Sequence, residues 1–423
     1  MNRRSFLRAL SAGAAAMAPW RDALACDGPA SPVLWVHVQG GGGWDQALFC
    51  DPKPSVRMNV PAADREVRRA GNIPYLAFAD LGAPAAQGFF ARNHARMLVI
   101  NGVDTATNNH QTGQTYSSSG ASVPEYPCWG AQVAAVYGCG KPMPFLSFGG
   151  YDRAGGMLAP ARVPLESARL MYHLGHPSTD TDGRPFLADS SVALVEAAHR
   201  RRLQRLRERL RLPGQRAGID ALIDARATQA GIAMLEFPGY DASASFQVQE
   251  FRVALSAFRA GLTSSVATEV GRFDTHTDNE AGQRTALGDL FTLLTAMMDL
   301  SDAASVPCVV LATSDFGRTP HYTGSGTDHH PVSSVMILQS AAARAMNLGL
   351  PVDRVIGAST DGGPTRALRP VRVNPSSFAP DDAGVVITPG HVLRAMRRAA
   401  RIASAPRLAA FPLAVGRDLA LGA

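Results

Sequence analysis

Six short, apolar, β-branched runs recur along the chain with helical stretches between them: "SPVLWVHVQ", "RMLVINGV", "MPFLSFG", "SSVATEVG", "VPCVVLATS" and "SSVMILQS". None alternates apolar with polar residues, so none suits a strand with one face in water. Continuous apolar strands need cover on both sides, which points to a mostly parallel central sheet flanked by helices. The chain is therefore expected to be α/β. Of its 423 residues, 46% are apolar, enough to bury one large core or two modest ones.

Between the runs the periodicity changes. Ser190 to Leu212 places Leu203, Leu206 and Leu210 on one helix face and arginines over the rest. That arginine run lacks interleaved aromatics and reads as a solvated face, with binding to an anionic surface as the weaker alternative; no nucleic-acid partner is expected. Helical spacing also covers Phe246 to Leu262 and Ala281 to Leu300, the latter expected beside the strand ending at Thr313. Proline and glycine are spread evenly and no repeat occurs. One domain over residues 30–423 is expected, with a helical insertion at about 160–245.

The first 25 residues stand apart. "NRRSFLR" puts two arginines before a short Ala-rich run that closes on "ALA", the pattern of a twin-arginine export signal cleaved after Ala25. The twin-arginine translocase is thus an expected partner, and the periplasm or exterior the expected location. The apolar run from Ala9 to Trp20 is shorter than the ~20 residues that cross a bilayer, and no later segment is long enough. Cys26 follows the cleavage site, but Ala23 stands where lipid attachment would want leucine. Losing Arg3, Arg4, Arg8, Arg21 and Asp22 takes the formal net charge from +6 to +3. The basic balance is therefore partly an export feature. Five cysteines in an oxidising compartment could form up to two disulfides, with Cys128 and Cys139 the expected pair.

In open α/β sheets, ligands bind beyond the carboxyl ends of the strands. After "VLWVHVQ" comes "GGGGWD", a glycine loop that ends on Asp45. After "SSVATEVG" come Asp274, His276 and Asp278. After "VPCVVLATS" comes Asp315 in "SDFGRTP", and the next loop offers His321, Asp328, His329 and His330. A lone aspartate after a strand is most often a cap or a turn residue. Four segments converging on one edge are more informative. Carboxylate and imidazole together suit one or two divalent ions (zinc, manganese, magnesium or calcium) that polarise a phosphorus or sulfur ester. "GGGGWD" lacks both the dinucleotide-binding glycine spacing and the Lys-Ser/Thr of a phosphate loop.

The motifs "VQGGGGWDQALF", "FFARNHARMLVINGV", "NNHQTGQTYSSSG", "EVGRFDTHTDN", "VVLATSDFGRTP" and "GTDHHP", in that order, resemble an exported bacterial family known as domain of unknown function 1501. That family sits within the alkaline phosphatase and sulfatase superfamily. The resemblance implies an alkaline-phosphatase-like three-layer sandwich with a metal centre at the strand ends. It implies Asp45, Asp274, His276, Asp315, Asp328 and His329 as metal ligands. Phe316 stands where sulfatases carry a histidine, which removes one nitrogen from a two-ion site. His110 stands where relatives carry a Ser, Thr or Cys nucleophile, so it is expected to form a phosphoryl intermediate, bind metal or seat an anion at a helix N-terminus. Thr112, Thr115 and Ser117 remain as alternative hydroxyl nucleophiles. Arg318 is expected either to clamp a phosphate or sulfate oxygen or to stiffen its loop through an ion pair. No Cys-x-Pro-x-Arg occurs, so a formylglycine sulfatase is not expected. The expected function is a metal-dependent hydrolase of a small anionic ester; the alternative is a binding or assembly protein that keeps the fold without turnover.

Overall fold

The computed structural model describes residues 31–53, 66–76, 85–163, 186–213, 215–216, 219–220, 223, 245–360 and 367–422. The expected export signal, Cys26 and much of the expected insertion (164–185 and 224–244) lie outside the described residues.

In chain order the strands begin with β1 (Leu34–Gly40), β2 (Val67–Ala70), β3 (Ile73–Leu76), β4 (Met97–Asp104), β5 (Phe145–Ser147) and β6 (Ala161–Arg162). They continue with β7 (Ser265–Val270), β8 (Cys308–Ser314), β9 (Gly317–Arg318), β10 (His329–His330), β11 (Val332–Gln339) and β12 (Arg354–Ile356). The helices are α1 (Ala85–Asn93), α2 (His110–Ser119), α3 (Trp129–Tyr137), α4 (Asp189–Arg209), α5 (Phe246–Arg259), α6 (Asn279–Ala303), α7 (Ala341–Ala345) and α8 (Pro389–Ala399).

All six apolar runs become strands of one eight-stranded sheet, ordered β12-β4-β11-β8-β1-β7-β5-β6. Every neighbouring pair is parallel except the two made by β11, which runs against both β4 and β8. Successive side chains of a strand point to opposite faces, and here both faces are apolar. Leu34, Val36 and Val38 of β1 and Val310 and Ala312 of β8 join the core under α1, α5 and α6. Trp35 of β1 and Val309 and Leu311 of β8 join the opposite core with Trp129 of α3 and Val392 and Met396 of α8. Trp35 meets Trp129 edge to face, with ring centroids 5.5 Å apart. The molecule is a three-layer α/β sandwich with a mostly parallel sheet.

Helix α4 forms where expected, but only Leu203 of its three aligned leucines is buried, while Leu206 stays exposed. Cys128, at the N-terminal cap of α3, points into a cluster with Ala131, Phe145 and Ala267 and carries a free thiol. The expected Cys128–Cys139 bridge is therefore not formed: Cys139 is disulfide-bonded, but not to Cys128. Burial pushes the Cys128 thiol up to about 12, so it stays protonated and unreactive.

Glu250 of α5 is buried, accepts the Thr268 hydroxyl at 2.8 Å through one oxygen, and leaves the other without a partner. Burial raises its carboxyl to about 7. The folded state thus holds a proton that the unfolded chain releases near 4.5, so stability contributed below that pH is lost as pH rises through 7. Glu250→Gln is expected to raise stability at pH 8 by up to about 3 kcal/mol and to change little at pH 4. Urea melts at the two pH values check this, and an equal effect at both would refute it.

Candidate metal centre

The strand directions decide which residues share an edge. β1, β7 and β8 are parallel, so the segments that follow them, with Asp45, Asp274 and Asp315, emerge on one side. β4 also points that way, because both it and β8 run against β11, so α2 and its first residue His110 start there too. β11 is reversed. What reaches the edge is therefore the segment before it, β10, whose His329 pairs across the ladder with Arg318 of β9.

Three imidazoles converge on the Asp274 carboxylate. His329 Nε2 lies 3.0 Å from Asp274 Oδ1, His276 Nε2 lies 3.0 Å from the same oxygen, and the two nitrogens are 3.0 Å apart. His110 Nε2 faces the second oxygen, Oδ2, at 3.4 Å. Ligand atoms of His110, Asp274 and His329 all fall within 4.8 Å of one another, a grouping that could hold a metal ion. Around a tetrahedral zinc with ~2.0 Å bonds, ligand atoms stand ~3.3 Å apart. The triangle of Asp274, His276 and His329 is close to that spacing.

The far nitrogen of each ring is held from behind. His329 Nδ1 donates to the Asn108 carbonyl at 2.8 Å, His110 Nδ1 meets Asp315 Oδ2 at 2.9 Å, and His276 Nδ1 faces Asp328 Oδ1 at 3.4 Å. Such outer partners fix the tautomer that leaves Nε2 free for a ligand or a proton. Phe316 provides the floor. Its fully buried ring lies 4.5 Å from that of His329 and 4.8 Å from that of His110. Phe316 thus supports two of the three imidazoles.

The remaining expected ligands sit one layer out. Asp315 is completely buried, and its oxygens accept from Gln39 Nε2 (2.9 Å), the Gly42 amide (3.0 Å), His110 and Gln114 Nε2 (3.4 Å). It orients His110. Asp328 accepts the Thr323 hydroxyl at 2.7 Å and backs His276. Asp45 is buried as the cap of a single 3-10 turn, accepting the Ala47 amide at 3.1 Å. Burial pushes its carboxyl up to about 7 against the pull of that amide and of the Arg318 charge. His330 accepts the Val332 amide, and burial drives its imidazole down to about 4.

Arg318 shows the ion-pair alternative. Its guanidinium is fully buried, with Nε on Thr327 Oγ1 (2.9 Å), Nη1 on Asp274 Oδ1 (2.9 Å) and the Gly42 carbonyl (3.3 Å), and Nη2 on the Thr327 carbonyl. Its donors hold Asp274 in place rather than facing a ligand. Desolvation raises the Asp274 carboxyl, but its contacts with His329 and Arg318 and the charges of Arg318 and His276 outweigh it and leave the group below the usual range. The helix hydroxyls are occupied as well: Thr112 with Asn109 Oδ1 (3.3 Å), Thr115 with the Gln111 carbonyl (2.8 Å) and Ser117 with the Gln114 carbonyl (3.4 Å).

The glycine loop is packed, not open. Gly42 adopts φ 112, and a Cβ there would meet the Asp274 amide at 2.4 Å; at Gly43 (φ 84) it would strike the Phe316 ring at 2.6 Å. Both positions demand glycine on two counts. Gln39, Asn108 and Gln114, which order the outer layer, were not singled out in the sequence. A polar Gln39 ending an apolar strand was the available signal; the Asn108 carbonyl has none, because any residue supplies one.

No protein-family model matches the chain, and a search of curated proteins returns no match. Among solved structures it is similar to a TAB5 alkaline phosphatase mutant with Mg bound, at 8% identity and TM-score 0.32, covering 74% of this chain and 92% of that one. It is also similar to the integral membrane lipooligosaccharide phosphoethanolamine transferase EptA of Neisseria meningitidis, at 11% identity and TM-score 0.29, covering 81% and 56%. A third is the periplasmic domain of EptC from Escherichia coli in complex with Zn, at 10% identity and TM-score 0.28, covering 76% and 75%. What the centre does is read from its own atoms.

If Asp315 acts through His110, Asp315→Asn should weaken ion binding or turnover by about 10–100-fold, the usual cost of losing an outer-shell carboxylate. The acidic limb of the pH profile should move with it. A loss of stability with an unmoved pH profile would show a purely structural residue.

Proposed function

We propose that the chain is an exported metal-dependent hydrolase of phosphate or sulfate esters, from the family its motifs resemble. One observation carries this: the Nε2 atoms of three histidines converge on one carboxylate while each Nδ1 is anchored behind. Asp274, His276 and His329 would hold a single divalent ion. A nitrogen-rich set favours zinc over manganese, calcium or magnesium, which take oxygen ligands more readily. Such an ion supplies Lewis acidity to an ester oxygen and acidifies water.

The protein does the rest. His110 Nε2 faces the cluster with its lone pair free because Asp315 holds Nδ1–H, so it can accept a proton at that atom while the buried carboxylate stabilises the imidazolium that results. The occupied hydroxyls of Thr112, Thr115 and Ser117 argue for direct attack by water rather than a covalent ester on α2. Arg318 and Phe316 keep the acceptor and the rings in place.

The mature protein loaded with zinc or manganese should hydrolyse at least one of p-nitrophenyl phosphate, bis(p-nitrophenyl) phosphate and p-nitrophenyl sulfate, with activity lost in His110→Ala. Ion bound without turnover of any of the three would favour the binding or assembly protein instead. Export is tested by fractionation: an Arg3→Lys, Arg4→Lys double variant should stay in the cytoplasm, and unimpeded export would refute that route.

A further inference from the structure

Beside the centre, a cleft of about 500 Å³ opens along the exposed side of α2. That volume suits a small-molecule group. Its walls are joined to the centre by hydrogen bonds. Gln114 lines the cleft and reaches Asp315 directly, while the Tyr151 amide on the opposite wall donates to Gln39 Oε1 at 2.8 Å, and Gln39 Nε2 donates to Asp315. Asp315 thus links both walls of the cleft to His110, which meets the same oxygen as Gln114.

The lining is polar but electrically balanced. Arg153 pairs with Glu125 at 3.3 Å, and Arg162 grips Asp152 through two contacts of 2.6 and 2.9 Å. An anion bound here would have to displace those carboxylates, and an apolar group would leave amides, hydroxyls and charges unpaired. A hydroxyl both donates and accepts, so a polyol can serve Gln111, Thr112, Ser122 and both ion pairs at once without a net charge of its own. Tyr151, whose hydroxyl is fixed on the Tyr126 carbonyl at 2.8 Å, adds the one aromatic wall.

We propose, resting on the ester-hydrolase function above, that this cleft holds the alcohol portion of the ester and that this portion is a neutral, sugar-like polyol. The test separates binding from chemistry. Saturation-transfer NMR and calorimetry are run on the mature chain, stripped of metal and again with zinc, using maltohexaose, cellohexaose, laminarihexaose, xylohexaose and chitohexaose. At least one should bind with the same affinity in both forms. Gln111→Trp, which fills the cleft from an exposed position, and Arg153→Ala, which unbalances its rim, should each weaken that binding by about tenfold or more. No binding by any of the five, equal binding in both variants, or preferential occupation by inorganic phosphate or sulfate would overturn the proposal. Saccharide binding that survives alongside absent ester hydrolysis would sink the hydrolase function and leave the cleft assignment standing.

Discussion

His329→Ala is expected to empty the centre while His330→Ala, one residue away, leaves it filled. His329 touches much of the site: its Nε2 is 3.0 Å from both Asp274 Oδ1 and His276 Nε2, its Nδ1 is tied to Asn108, and its ring rests against both Phe316 and His110. Removing it leaves Asp274 and His276 without the third corner of their triangle. Bound zinc or manganese, measured by elemental analysis after gel filtration, should fall from about one ion per chain to less than ~0.1. Turnover should fall with it by a factor of about 10³ or more, since the ion carries the main electrostatic stabilisation. His330 is spent on the Val332 amide, and its loss should touch stability alone. A His329→Ala protein that keeps its ion would show that the cluster is not a metal centre.

Arg318→Met should destabilise the fold by about 1–3 kcal/mol, chiefly because it orphans the carbonyls of Gly42 and Thr327; the Asp274 carboxylate it also releases is 43% exposed and can be solvated instead. Lysine should not rescue it. A single ammonium cannot reach acceptors spread around a planar fork. With Asp274 released, ion affinity should fall as well. Chemical denaturation and metal titration of the same variant check both effects. Wild-type stability with only a raised KM would return Arg318 to the role of anion clamp.

Much of this was legible without coordinates. The six mostly apolar runs named every long strand of the sheet, since a strand covered on both faces is apolar along most of its length; the few polar residues it carries, such as His37 and Gln39 of β1, are buried and hydrogen-bonded. The acidic and imidazole groups just past those runs marked the segments that meet. Asp45 did what an aspartate after a strand most often does, capping a turn. The expected Cys128–Cys139 bridge was not legible there, because the sequence says nothing of where a thiol points, and Cys128 points into the core.

What the sequence by itself determined is the layered α/β scaffold and the set of segments that supply the chemistry, because burial on both faces and strand polarity are written in local patterns. Only the tertiary structure decided the division of labour. The reversal of β11 carries His329, rather than a residue after that strand, to the edge where the cluster forms. The same geometry makes Asp315 and Arg318 braces and Asp274 the hub, since which atom of a polar side chain is free depends on which donors and acceptors the fold has already brought against it.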